Sequence, residues 1–439
     1  MKPLSHSIDS IFWFRRDFRV EDNHGLFQAL INSQQVLSIF IFDTDILSKL
    51  QDKDDARVTF IHEQVSRLKT FLQKRGSDLF VFYGNPGQVF QKLISTYKIK
   101  KIYCNEDYEP LAIARDQKIA KLARSHNIQF LSFKDHVIFA KDEILTDSEK
   151  PYTVFTPYKK KWLKSLKKEN LAHYSSEKYL SKLVLITKPK PMIKLSQLGF
   201  HQSKIAVSKP NLTPSLLQKY ADLRDSPSAD ATSHIGPHLR FGTISIRSAM
   251  KLALKHSPTW TSELIWREFF IQVLWHHPHV VKNSFRAKFD SLNWSVSKKD
   301  FQKWCEGKTG IPIVDAGMRE LNTTGYMHNR VRMITANFLT KHLFIHWSWG
   351  EKYFAQKLLD YELASNNGNW QWSAGTGCDA APYFRIFNPE TQQQKFDPDF
   401  EYIQKWVPEY GTEKYPEPMV DLNFARRRAL IEFGKLKKA

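Results

Sequence analysis

Cysteine is almost missing from this chain of 439 residues. Only Cys104, Cys305 and Cys378 occur, widely separated, with no CxxC pair and no His/Cys cluster. That excludes a disulfide framework and a structural zinc site, predicts no bound metal, and fits a reducing, cytoplasmic setting. An apolar leader is also lacking: the chain begins MKPLSHSIDS, which has no signal-peptide core. No apolar run reaches the roughly 18–20 residues that a membrane-spanning helix needs. Repeats and low-complexity tracts are absent, which excludes a solenoid. No GxGxxG follows the first apolar stretch. FRRDFRVEDN (14–23) stands there instead, so the ordinary dinucleotide fingerprint is excluded. Acidic residues are in deficit, 45 against 65 Lys+Arg, for a net charge of +20. That excess favours a polyanionic partner, nucleic acid ahead of an anionic membrane surface.

What is present divides the chain. Its length exceeds what one core supports, so two or three domains are expected. Residues 8–135 alternate short, bulky apolar runs with helical stretches. The runs are Ile11–Phe14, Val36–Phe42, Leu79–Tyr83 and Lys101–Cys104; helices are expected over Val58–Arg75 and Asp107–His126. This βαβαβ pattern predicts a doubly wound parallel α/β domain, Rossmann-like, over 1–135. Residues 136–205 are polar and irregular and read as a linker. Within it YKKKWLKSLKK (158–168) predicts a short basic helix with Trp162 and Leu166 facing inward, its lysines more simply a solvated face than a DNA contact. From 206 to 439 apolar residues recur at helical spacing, as in Met333, Ala336, Leu339 and Leu343, and predict an all-helical domain.

Four segments carry candidate chemistry. NNGNWQWSAGTGCDAAPYFRIFNP (366–389) sets Trp370 and Trp372 two apart among glycines. Gly368, Gly375 and Gly377 predict neither regular helix nor strand there, and such a loop with large flat side chains suits a flat ligand. SELIWREFF (262–270) places Glu263 and Trp266 on one helix face, with Arg267 one turn from Glu263 and able to pair with it. GYMHNRVRMITANFL (325–339) places Asn329 and Met333 together, an amide for a base edge and a soft side chain for a ring, with Arg330 and Arg332 beside them. DATSHIGPHLRFGTIS (230–245) sets Thr232, Ser233 and Gly236 before a helix beginning near Pro237, a pattern that can bind phosphate.

Together with WFRRDFRVEDN (13–23) and VFTPYKKKW (154–162), these segments closely resemble the photolyase/cryptochrome flavoproteins, nearest to class I cyclobutane pyrimidine dimer (CPD) photolyases. The resemblance runs from about residue 10 to 410. It implies a non-covalent FAD in the helical domain, functional as FADH−. By that resemblance Tyr220, Thr232, Ser233, His234, Ile235, Gly236, Trp260, Glu263, Arg267, Arg332, Asp360, Tyr361, Glu362 and Asn366 hold the cofactor. Arg332 pairs with Asp360, and Asn366 faces the flavin. Glu263, Asn329 and Met333 contact the damaged bases, Trp266 and Trp372 wall them, and Arg224, Arg330, Arg385 and Gln392 contact DNA. Trp370, Trp347 and Trp294 resemble a photoreduction chain running from flavin to surface. The family's TSRLS phosphate loop is TSHIG here, at 232–236.

The implied partner is UV-damaged DNA with the lesion flipped out; the implied protein is a monomer with no obligatory protein partner and no membrane. An antenna chromophore is also implied, a folate (MTHF) or a deazaflavin, with Glu109 and Lys282 at matching positions. The competing readings are a cryptochrome photoreceptor, a (6-4) or single-strand-preferring photolyase, and a basic nucleic-acid-binding module. Asn366, Trp266 and Met333 argue against the first, as do the roughly 30 residues left after WVPEY, too few for a long signalling tail. His328 alone does not supply the histidine pair of a (6-4) enzyme.

Overall fold

Bulky apolar runs become strands where both of their faces can be covered. The computed structural model describes residues 8–436. Five parallel strands, β1 (Ser10–Phe14), β2 (Val36–Asp43), β3 (Phe80–Gly84), β4 (Lys101–Asn105) and β5 (Gln129–Phe133), lie in the order β3-β2-β1-β4-β5. Ile11 pairs with Leu37 on one side and with Ile102 on the other. Alternation along each strand feeds two cores. Phe12, Phe14, Phe40 and Tyr103 enter one, and Ile11, Trp13, Leu37, Ile102 and Cys104 the other. A sheet buried on both faces in this order is the doubly wound α/β arrangement. The strand Gln129–Phe133 has no counterpart in the sequence reading, because its residues are mostly half-exposed at the sheet edge and lack a continuous apolar run.

The longer helices between the strands are α1 (His24–Ile31), α2 (Ala56–Gln73), α3 (Pro86–Thr96) and α4 (Pro110–Arg124). Their starts are written locally. Asn23 accepts from the Leu26 N–H, and Asn85 caps α3 ahead of a proline at its first turn, the position where a missing N–H costs nothing.

The chain forms two compact units. The first comprises the chain up to Ala140 with Leu166–Lys209 and Ile235–Leu252; the second comprises Lys141–Ser165, Pro210–His234 and the chain from Ala253. The polar stretch 136–205 is therefore divided between them. Its basic helix, α5 (Phe155–Ser165), belongs to the second and buries Trp162. Leu166, expected on that helix, falls after its end.

The second unit is helical. It includes α6 (Pro214–Leu223), α7 (Pro258–His276), α8 (Asn329–Asn337), α9 (Trp347–Lys357), α10 (Leu363–Ala374) and α11 (Leu422–Lys435). A core of Trp304, Met318, Val331, Phe338, Trp347, Phe354 and Trp370 joins α8, α9 and α10. The helix α10 corrects the expectation of an irregular loop from Asn366. The helix runs to Ala374 and ends on Gly375 at φ +79°, a left-handed stop that glycine adopts freely. Gly368 sits mid-helix because a Cβ there would strike the Phe270 ring on α7. Close approach of two helices outweighs the propensity cost of about 1 kcal/mol.

Candidate active site

Helix α7 starts at Ser257, whose hydroxyl accepts from the Trp260 N–H, and Pro258 follows. It carries Trp260, Glu263, Trp266 and Arg267 in turn. Trp260 is buried. Trp266 lies against Phe155 of α5 with ring centroids 3.6 Å apart and planes 7° from parallel. One face of that indole is thus covered by protein. Helix α5 is itself tied down by Trp162, whose indole N–H donates to buried Glu268 at 2.7 Å.

Glu263 does not pair with its helix neighbour Arg267. It accepts from Arg224, just past α6, at 2.5 Å, and Arg267 bonds Glu362 at 2.9 Å. An i,i+4 pair on one helix is worth only about 0.3–0.5 kcal/mol, so partners from other elements prevail in this half-buried setting. Burial raises the Glu263 pKa, and the Arg224 charge opposes that rise.

From Arg224 a chain of contacts continues. Its Nε is 3.9 Å from Asp225, which accepts from Arg330 at 2.8 Å. The other Arg330 nitrogen lies 3.8 Å from the Met333 sulfur, and the Asn329 amide lies 3.9 Å from the same sulfur. Helix α8 thus presents Asn329, Arg330 and Met333 in register. Its start is capped by His328, whose Nδ1 accepts from the Arg330 N–H at 3.2 Å. Burial pushes the His328 pKa down to about 4, which keeps that nitrogen free of a proton for capping.

Arg332, one residue earlier on the helix than Met333, turns to a different set of partners. It bonds Asp360 at 3.3 and 3.0 Å and the Met327 carbonyl at 2.7 Å. Its guanidinium stands 5.7 Å from the Tyr326 ring, and the Tyr326 hydroxyl is 3.1 Å from the Thr232 hydroxyl. His234 lies 5.0 Å from the same ring and is 2.8 Å from Asp230. Tyr220 lies beside the Arg224 guanidinium at 5.5 Å. Ser233 is buried. Ile235 and Gly236 belong to the first unit. The helix expected at Pro237 spans only Gly236–Arg240, a turn and a half whose dipole adds little to phosphate binding.

On α10, Asn366 is buried and donates to the Glu351 carbonyl at 3.0 Å and to its carboxylate at 2.9 Å. Burial raises the Glu351 pKa. Tyr361 and Glu362 immediately precede this helix, Tyr361 half-buried against the core. Trp370 meets Phe354 edge-on at 4.9 Å and Trp304 at 6.0 Å. Trp372, two residues on, is half-buried. Trp347 is buried at the start of α9, and Trp294 is half-buried, stacked on Phe344 at 4.9 Å. Arg385 is exposed and Gln392 half-buried. Of the antenna candidates, Glu109 in the first unit accepts from Arg240 and stands 3.4 Å from Arg16, and Lys282 in the second is exposed.

The donor set suits a flavin dinucleotide. Hydroxyls of Thr232 and Ser233 match phosphate oxygens, two Arg–carboxylate pairs match ribose and ring edges, and a buried amide matches a ring nitrogen.

Two family models match the chain: DNA photolyase over residues 10–176 and the FAD binding domain of DNA photolyase over residues 260–412. A deoxyribodipyrimidine photo-lyase of Halobacterium salinarum is 33% identical over 97% of this chain and 99% of its own. The chain belongs to the DNA photolyase family. Its fold agrees with that of a bacterial class III photolyase from Agrobacterium tumefaciens, at a TM-score of 0.86, 31% identity and full coverage of both chains. A Synechocystis cryptochrome gives 0.82 at 26% identity, over 98% of this chain and 100% of its own. As a photolyase-family member the chain carries the family's FAD-binding domain.

Four side chains that hold the candidate site residues in place were not singled out by the sequence reading. Asp225 joins Arg224 to Arg330, and Tyr326 joins Thr232 to Arg332. Glu351 holds Asn366, and Phe155 backs Trp266. Only Tyr326 and Phe155 lie within the sequence motifs; Asp225 and Glu351 lie outside them, and Arg330, which Asp225 links to Arg224, is 105 positions away.

Proposed function

We propose that this chain repairs cyclobutane pyrimidine dimers in UV-damaged DNA, driven by near-UV or blue light. The reading is carried by the continuous chain of contacts Glu263–Arg224–Asp225–Arg330–Met333–Asn329. Glu263, Arg224, Arg330, Met333 and Asn329, from three separate helical segments and each expected to meet a damaged base or its backbone, fall into one cluster, with Asp225 as the link between Arg224 and Arg330. FAD in its reduced form, FADH−, would supply light absorption and the electron that splits the cyclobutane ring.

The protein's own residues do the rest. The basic surface gives sequence-independent affinity for phosphate. A dimer pairs and stacks badly, so extruding it costs less than the few kcal/mol for an intact step. Glu263 offers carboxylate oxygens to base N–H groups while Arg224 holds its orientation. Asn329 offers both a donor and an acceptor to a base edge. Trp266, steadied by Phe155, and Trp372 give flat apolar walls. Arg385 and Gln392 reach toward the strand. Arg332 with Asp360, Arg267 with Glu362, and Asn366 with Glu351 fix the cofactor side before substrate arrives, so little is reorganised when light is absorbed. Trp370, Trp347 and Trp294 form the route by which oxidised flavin is reduced. Glu109 and Lys282 remain candidate antenna contacts for a folate or deazaflavin.

The test is dimer loss from irradiated DNA with the purified protein, in light and in darkness, together with the absorption spectrum before and after denaturation. Dimer loss under blue light alone, with flavin released on denaturation, is expected. Equal loss in darkness, or no released flavin, refutes the reading.

A further inference from the structure

His346 occupies the position just before α9 and caps it. Its Nδ1 accepts the Ser348 backbone N–H at 3.2 Å and lies 2.8 Å from the Ser348 hydroxyl. A ring nitrogen that accepts a hydrogen bond carries no proton, so the hydrogen of the neutral imidazole sits on Nε2. Burial lowers the His346 pKa and Lys352 adds to the fall, with Asp290 opposing. The N-terminus of α9 also disfavours a positive charge at that point.

The same ring touches two tryptophans. Its centroid is 5.4 Å from Trp294, with planes at 81°, and 5.2 Å from Trp347, with planes at 33°. Trp347 is buried, while Trp294 is half-buried against Phe344 and Phe433. Among the described residues, neither indole nitrogen has a hydrogen-bond partner.

We propose that the His346 ring is the bridge through which an electron passes from Trp294 to Trp347, and that its capping bond holds it neutral for that task. The proposal rests on the Trp370–Trp347–Trp294 route proposed above. One electron leaves the Trp294 indole and refills Trp347 after Trp347 has given its own inward. No bond forms or breaks. The imidazole, harder to oxidise than indole, couples the two without being oxidised, and an added thiol returns an electron to Trp294.

Two crossed substitutions separate the bridge from the cap. His346→Ser keeps a capping oxygen and removes the ring; His346→Phe keeps an aromatic ring and removes the cap. Flash photolysis of the flavin-loaded, oxidised protein, read in the tryptophan-radical absorption, should show the Trp294 step slowed severalfold in His346→Ser and close to the unsubstituted rate in His346→Phe. An unchanged rate in His346→Ser, or a slower rate in His346→Phe than in His346→Ser, overturns the bridge. If Trp294→Phe photoreduces normally, the tryptophan route itself fails and the bridge falls with it, a distinguishable outcome. A second readout needs no light. In protein carrying nitrogen-15 histidine, the ring signal lost in His346→Phe should have the neutral Nε2–H pattern at pH 7. A doubly protonated or Nδ1–H ring overturns the proposal.

Discussion

Gly368→Ala tests whether α10 is held by close approach to α7. A Cβ at that position would stand 2.5 Å from Cε1 of Phe270 and closer still to Cδ1, where carbon pairs normally rest about 3.5–4.0 Å apart. The ring must retreat by more than an ångström. It has nowhere to go, because Phe270 is 5% exposed and lies 5.5 Å from Trp266 and 5.6 Å from Phe269. Overpacking of this kind costs about 3 kcal/mol at the upper end of its range, and the better helix propensity of alanine returns about 1 kcal/mol. A net loss of about 2 kcal/mol is the result of those two terms. Urea unfolding followed by tryptophan fluorescence measures it, alongside flavin affinity, which should weaken because α10 carries Asn366. Phe270→Leu in the same chain should recover part of the loss, with a coupling of about 1–2 kcal/mol. A Gly368→Ala protein as stable as its parent or more so, or strictly additive effects in the double variant, refutes the packing argument.

Lys341 is buried with its amine on the Ala374 carbonyl at 2.7 Å, and burial pushes its pKa down to about 7 from 10.5. The unfolded chain then binds this proton more tightly than the folded one between those values, so this group makes stability rise with pH from about 7 to 10.5. Lys341→Met should flatten that rise in the difference between the two pH–stability curves; an identical slope refutes it. Arg385→Ala should lower affinity for damaged and intact DNA alike and reduce the slope of log K against log salt by about 1, whereas a loss confined to the lesion would assign Arg385 to the damaged base. Trp294→Phe should slow photoreduction of oxidised flavin and leave repair by prereduced protein nearly intact, and a parallel fall in both would remove Trp294 from the electron route.

The first unit was legible because its signal is local. Ile11–Phe14 and Val36–Phe42 are apolar on both faces, and only a sheet covered on both sides buries them. Gln129–Phe133 was not legible, since an edge strand has one neighbour and can stay polar. In the site, Glu263, Asn329 and Met333 could be put on helix faces from spacing alone. What spacing cannot give is the partner across the fold. Glu263 takes Arg224, 39 positions away, over Arg267 on the next turn. Asn366 takes Glu351, and Thr232 takes Tyr326, by the same long-range logic.

The error at Gly368 has a different cause, and it explains how α10 carries several groups at once. From sequence alone glycine signals a break in regular structure; in α10 it is a clearance. Gly368 admits the Phe270 ring from α7, and Gly350 of α9 admits the far edge of the Trp370 indole, where a Cβ would collide. With both neighbours drawn close, Asn366 and Trp370, one turn apart, are buried on the same face of α10. Trp372 lies two residues further, about 200° around the helix from Trp370, and stays half-buried. A single helix can therefore offer an amide and an indole inward and a second indole toward solvent, provided that its neighbours come near enough to fix its rotation. The two glycines supply that nearness, so replacing either should disturb the inward pair before it disturbs Trp372.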